Sequence, residues 1–166
     1  NENLILTPHL GASTEEAQEN VAVDVAEQIR DVLLGLPARS AVNIPGLSAE
    51  IMDKLKPNLQ LAETLGLLIS QLCGGRIKEL EVRLQGEFAL LPSQPLIVAS
   101  IKGLLSSALG DRINYVNASL EAKSRGIHIL EVKDESNRDF AGGSLHLKAK
   151  GESIEHTLTG AVFADG

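Results

Sequence analysis

The sequence predicts an α+β protein: a two-layer domain with a mainly antiparallel sheet covered by helices, preceded by a long separate helix. Three observations predict it. Apolar residues recur with a helical period in "STEEAQENVAVDVAEQIRDVLLG", "PNLQLAETLGLLISQLCGG" and "SQPLIVASIKGLLSSALG". Strict two-residue alternation marks "KELEVRLQG" as a half-buried strand. Further extended segments follow at 127–133, 144–150 and 153–163, so one apolar sheet face is left for the helices to cover.

The elements follow in order. Residues 4–6 form a short apolar run that ends at Thr7-Pro8, a buried strand running into a loop. Ser13 and Glu16 have the spacing of a capping box, in which each side chain satisfies the other's free backbone N–H. The helix over 14–34 carries Val21, Val25, Ile29, Val32 and Leu33 on one stripe, and Gly35 and Pro37 stop it. "LPARSAVNIPG" reads as an extended linker, which divides the chain into residues 1–44 and 45–166. "LSAEIMDKLKP" predicts a short helix, and the helix after it places Leu61, Leu65, Leu68 and Leu72 on one stripe before Gly74-Gly75. In the first strand Leu80, Val82 and Leu84 face inward and Glu79, Glu81 and Arg83 outward. The next helix aligns Ile97, Ile101, Leu104, Leu105 and Ala108, and Asn117 is placed to cap a helix ending at Gly126. The last three strands are expected to form an antiparallel meander, with a tight turn at Gly151. Leu145, Leu147 and Ala149, then Ile154, Leu158 and Val162, point to one face, and a final strand of this domain is expected beyond residue 166.

Composition bounds the function. The chain has 166 residues, 43% hydrophobic and 22% charged, which suits one domain or one plus a piece of another. With 2% aromatics and no Trp, the core is built from Leu, Ile, Val and Ala. A net charge of −7 with so few aromatics argues against nucleic-acid binding, which needs basic patches and stacking platforms. No apolar run approaches the roughly 20 residues that span a bilayer. No cleavable signal peptide is visible, and Cys73, the one cysteine, has no internal disulfide partner.

No GxGxxG, P-loop, CxxC, HExxH or GxSxG pattern occurs. Of the histidines at 9, 128, 146 and 156, the last three read as surface or edge residues, since a metal site needs three or four convergent ligands. His9 differs. It follows a strand and precedes a capped helix, where open α/β sheets place their sites, and an imidazole suits acid/base work near neutral pH.

"LTPHLGASTEEAQ" resembles the catalytic-histidine segment of the D-isomer 2-hydroxyacid dehydrogenases. "VAVDVAEQIRDVLLGLPARSAVNIP", "LAETLGLLISQL", "IKGLLSSAL" and "INYVNASLEAKSRGI" extend the likeness to the long-form phosphoglycerate dehydrogenases and their intervening, allosteric substrate-binding domain. The resemblance implies an NAD-dependent oxidation of 3-phosphoglycerate to 3-phosphohydroxypyruvate, at the head of L-serine synthesis. It implies His9 as the catalytic proton donor and acceptor, with His9, Leu10, Gly11 and Ala12 beside the nicotinamide. It also implies a homo-oligomer in the cytoplasm or plastid stroma, with L-serine as a possible regulator, and no nucleic-acid or membrane partner. The carboxylate that pairs with the histidine, the substrate arginine and the dinucleotide loop are expected upstream of residue 1, so the long helix is a remnant of the nucleotide-binding domain. The fragment is then expected to be inactive and to pair two-fold through the helix stripe. Lys102, Arg112, Lys123, Arg125, Lys148 and Lys150 are the basic candidates for an anion site. Two alternatives stand beside this reading: another dehydrogenase of the family, such as a hydroxypyruvate or glyoxylate reductase, and a stand-alone anion-binding module like that of bacterial serine dehydratases.

Overall fold

The structure, a computed structural model, describes residues 8, 10–34, 49–136, 140 and 142–163. The expected strand at 4–6, the helix stop at Gly35 and Pro37, and the linker with its domain boundary lie outside these residues. Helix α1 spans Glu15–Leu33, with Glu15 and Glu16 in its first turn and Arg30 in its last, matching the helix dipole. Its cap is Thr14, not Ser13: Thr14 Oγ1 accepts the Ala17 N–H at 3.2 Å, while the Ser13 N–H bonds back to the Leu10 carbonyl at 3.1 Å. The preceding turn uses up Ser13 and shifts the helix start by one residue. Val21, Val25, Ile29 and Leu33 are all exposed on α1.

Helix α2 spans Ala49–Cys73 as one element, where the sequence predicts two, and Pro57 lies inside it. An interior proline removes one backbone hydrogen bond and costs about 3 kcal/mol. Burial on both sides of it, of Leu55 before and Ala62 and Leu65 after, holds the two halves on one axis. The buried row is Ala62, Leu65, Ile69 and Cys73, so the expected leucine stripe is offset. Leu61 is partly buried, and Leu68 and Leu72 remain 45% and 52% exposed.

Strand β1 covers Glu79–Gln85, a 3₁₀ turn Gly86–Leu90, and helix α3 Ser93–Leu109. Helix α4 covers Ala118–Ser124, and strands β2, β3 and β4 cover His128–Asp134, Ser144–Lys150 and Glu155–Gly160. Helices α2 and α3 pack at very close range through glycines. A Cβ on Gly66 would lie 2.2 Å from the Ser100 carbonyl oxygen, and one on Gly103 2.0 Å from that of Glu63. On α3, Ile97, Ile101, Leu104 and Leu105 are buried as expected, together with Leu96 and Ala99, whereas Ala108 is exposed at the helix end. Asn117 precedes α4, but its side chain accepts the Asn114 N–H at 2.8 Å and donates to the Arg112 carbonyl at 2.8 Å, fastening the loop instead of capping the helix.

The sheet order is β2-β1-β3-β4, with β1 and β2 parallel and the other neighbours antiparallel. The last three strands therefore do not form a meander, because β1 inserts between β2 and β3. A chain leaving β1 through two helices returns most easily as a parallel neighbour. Side-chain chemistry agrees: Leu80, Val82 and Leu84 sit opposite Leu145, Leu147 and Ala149 across β3, all buried. Toward β2 the same residues sit opposite Ile129, Glu131 and Lys133, a mixed set that suits an edge. The turn at Gly151 forms as read, its N–H bonding the Ile154 carbonyl at 2.8 Å. Ile154 is exposed, while Leu158 and Val162 pack against the core.

Candidate functional site

Two places carry the chemistry singled out above. The first is the turn before α1. His9 lies outside the described residues; Leu10 beside it is exposed, and a Cβ on Gly11 would meet nothing within 4 Å. Ala12 is half-buried. The backbone at Gly11 is thus open to close approach.

The second is the face of the sheet turned away from the helices. Strand alternation puts Glu79, Glu81, Arg83 and Gln85 of β1 on this face, with His146, Lys148 and Lys150 of β3 and Thr157 and Thr159 of β4. A shallow hollow of about 340 Å³ lies among Glu81, Arg83, Gln85, Asp134, His146, Lys148 and Thr157. His146 makes three side-chain hydrogen-bond contacts in its wall. Its Nε2 is 2.8 Å from Ser144 Oγ and 3.0 Å from Gln85 Oε1, and its Nδ1 is 2.8 Å from Thr159 Oγ1. A glutamine carbonyl oxygen only accepts, so this network assigns the proton to Nε2 and lets Nδ1 accept from the Thr159 hydroxyl. Around it the charges are paired: Arg83 with Glu81 at 2.9 Å, Lys148 with Glu155 at 2.7 Å, and Lys150 with Glu79 at 2.6 Å. The Glu79 carboxylate raises the Lys150 pKa above its ordinary value, and the Lys148 hydrogen bond lowers that of Glu155.

Over residues 54–166 the chain matches the family described as the D-3-phosphoglycerate dehydrogenase intervening domain. The chain belongs to this family. Its relatives include the D-3-phosphoglycerate dehydrogenase of a Synechocystis species, 68% identical over 165 residues, with 99% of this chain and 30% of the relative covered. The enzyme of that name from Methanocaldococcus jannaschii is 38% identical over 162 residues, covering 98% of this chain and 30% of its own length. The chloroplastic D-3-phosphoglycerate dehydrogenase 2 of Arabidopsis thaliana is 34% identical over 171 residues, with 99% and 27% covered. The chain thus spans about three-tenths of the length of these relatives.

The intervening domain holds the whole sheet and all six basic candidates, but the fold does not gather them. Lys148 lines the sheet hollow and Lys150 follows it on the same face of β3. The other four belong to the helical side. Lys102 of α3 pairs with Glu63 of α2 and lies 4.8 Å over the Tyr115 ring. Arg112 donates to the Leu109 carbonyl at 3.4 Å, Arg125 pairs with Glu121 one helical turn back, and Lys123 is exposed on α4. The sequence alone reads His146 as a surface or edge histidine and Arg83 as an outward strand residue, and it does not single out Gln85. The signal that finds them is the outward half of the β1 and β3 alternation, read across two strands at once. Among the described residues no group of three His, Cys, Asp or Glu gathers as for a metal ion. None of the described helices is long and apolar enough to cross a membrane. What the described residues of the intervening domain place on this sheet face is paired charges and oriented hydrogen-bonding groups.

Proposed function

We propose that this chain is a segment of an NAD-dependent D-3-phosphoglycerate dehydrogenase that oxidises 3-phosphoglycerate to 3-phosphohydroxypyruvate. Residues 1–44 would end its catalytic region and residues 45–166 form the intervening domain. One observation carries the reading: a match over 165 residues, at 68% identity, to a relative of that name. "TPHLGAST" supports the same assignment, since a purely regulatory module needs no proton-transfer loop.

His9 then takes the proton from the substrate hydroxyl oxygen during oxidation and returns it in reduction. NAD, when bound, supplies the hydride acceptor. The residues present fit one wall of its site: Gly11 leaves its backbone uncovered, and Leu10 and Ala12 flank it. The sequence contains no glycine-rich dinucleotide loop, so the remaining walls belong to the longer protein. The intervening domain serves regulation and homo-oligomer contact there, with L-serine as a candidate effector. Placement in the plastid stroma or cytoplasm belongs to the same reading; of these, the chloroplastic name of a plant relative bears only on the first.

In the longer enzyme, His9→Ala is expected to lower kcat by about 10²–10⁴-fold while NADH affinity stays near wild type, because general acid–base catalysis contributes on that scale. Near wild-type kcat at saturating substrate removes His9 from the reaction. The 166-residue chain alone is expected to show no turnover and no micromolar NADH isotherm in titration calorimetry.

A further inference from the structure

We propose that the groove between the C-terminal ends of α2 and α3 is a binding site for a small carboxylate with an apolar body, its charged head held by Arg76 and Arg125. This site is independent of the dehydrogenase reading.

The groove has a volume of about 350 Å³, within the range of small-molecule sites. It lies where β1 and β2, the parallel pair, begin and where α2 and α3 end. Among the described residues, none of its lining comes from β3, β4 or the chain after them.

Its wall has three parts. Leu104 and Leu105 of α3, with Ile77 and Ile127 on the way into β1 and β2, are buried and form an apolar floor. Ser70 of α2 and Ser107 of α3 meet at 3.1 Å between their hydroxyl oxygens. Ser70 donates to the Leu67 carbonyl at 2.7 Å, so the proton between the two serines belongs to Ser107, and this part presents lone pairs. Arg76 and Arg125 make the third part, with Arg76 Nη2 3.5 Å from the Arg125 carbonyl oxygen.

The sheet hollow differs from this groove in its charges. There Arg83 and Lys148 each hold a carboxylate. Arg76 makes no ion pair among the described residues; Glu152 feels its charge but is bonded to Lys78 at 3.0 Å. Arg125 binds Glu121 and Ser124 through Nη1 alone, so the Nε and Nη2 side of its fork has no partner among the described residues. A guanidinium edge fits the two oxygens of a carboxylate or a phosphate. The floor decides between them. Inorganic phosphate leaves the four apolar side chains wet, whereas an alkyl chain covers them. The serine lone pairs repel the anionic head, so it settles at the arginines. L-serine brings an ammonium against two cations and does not fit.

The test is an amide NMR titration of the isotope-labelled 166-residue chain with hexanoate. Hexanoate is expected to shift the amides of Gly75, Ile77, Ser107 and Ile127 saturably, with a dissociation constant of about 1 mM or below. Hexanol, which lacks the charge, and inorganic phosphate, which lacks the chain, are expected to bind at least about tenfold more weakly. Arg76→Gln is expected to weaken hexanoate by at least about tenfold, the scale of a hydrogen bond to a charged group. Arg76 is exposed, so the rest of the spectrum is retained. Ala108→Glu, at an exposed position in the same wall, is expected to abolish binding by placing a like charge in the groove. No saturable shift below about 10 mM hexanoate overturns the proposal. So do saturable shifts that spare those four amides, equal affinity for phosphate or hexanol, or an affinity that neither substitution changes.

Discussion

The carboxylate of Glu63 joins three elements. It accepts from Lys102 of α3 and, at 2.7 Å, from the hydroxyl of Tyr115 in the loop before α4. Burial alone pushes the Glu63 pKa up, but the hydrogen bonds from Lys102 and Tyr115 and the lysine charge outweigh it and leave it lowered. Burial and the same carboxylate push the Tyr115 phenol above its ordinary value. A lowered carboxyl pKa means that the unfolded chain takes up the proton first. The stabilisation is therefore complete above the unfolded value near 4.5 and fades as pH falls through the lowered folded value. Glu63→Gln is expected to cost on the order of 1 kcal/mol at neutral pH, modest because the site is partly solvated. Urea titrations should show the gap between wild type and variant closing below pH 4.5. A gap that is constant down to acid pH would falsify the charge-based account. The sequence made Lys102 visible as a cation, but Glu63 lies 39 residues away on another helix, a pairing that no local pattern encodes. The cap of α1 shows a finer limit: Ser13 and Thr14 are both good caps, and only the turn around Leu10 decides between them.

Among elements, the contact of α2 with α3 is set by the absence of two side chains. Alanine in place of a helical glycine normally gains up to about 1 kcal/mol of helix propensity. At Gly103 the added methyl would lie 2.0 Å from a backbone oxygen, a clash that no rotamer relieves, so the helices must separate. Overpacking of this kind costs about 1–3 kcal/mol, and Gly103→Ala is expected to lower the melting temperature despite the propensity gain. A calorimetric scan showing a raised melting temperature would sink this account. The elements themselves were largely legible. The β1 alternation named its buried and exposed residues, because a strand's side-chain period is a local property. Strand order was not legible. Pairing β1 with both β2 and β3 depends on segments 49 and 65 positions away, the distances from Glu79 to His128 and to Ser144. The α2 stripe was misread for a related reason. Leucines at 61, 65, 68 and 72 look like a core row, yet Ala62, Ile69 and Cys73 are buried because the glycine contact turns that side inward.

For the whole molecule, the open question is what covers α1. Its stripe of Val21, Val25, Ile29 and Leu33 is exposed, while the sheet and its helices enclose a separate core. Wild-type chain is therefore expected to self-associate through α1 at high concentration. Its net charge of −7 opposes this weakly, because charges beyond roughly 8 Å are screened at physiological salt. Val25→Glu with Ile29→Lys should lower the mass seen by light scattering without altering thermal unfolding of the sheet domain. Unchanged mass would show that this stripe is not a contact. The candidate site was legible where the motif was local, around His9. It was illegible where strands assemble it, around His146.

The position of β1 bears on how the protein is made. Of the four strands in this sheet β1 is translated first, and both of its neighbours come later, one of them ending at Lys150. The α2–β1–α3 stretch must therefore wait, with Leu80, Val82 and Leu84 in search of partners, until β2 and β3 have emerged. The pace of synthesis across the region after Ser124 then sets how long these three side chains stay without their strand partners.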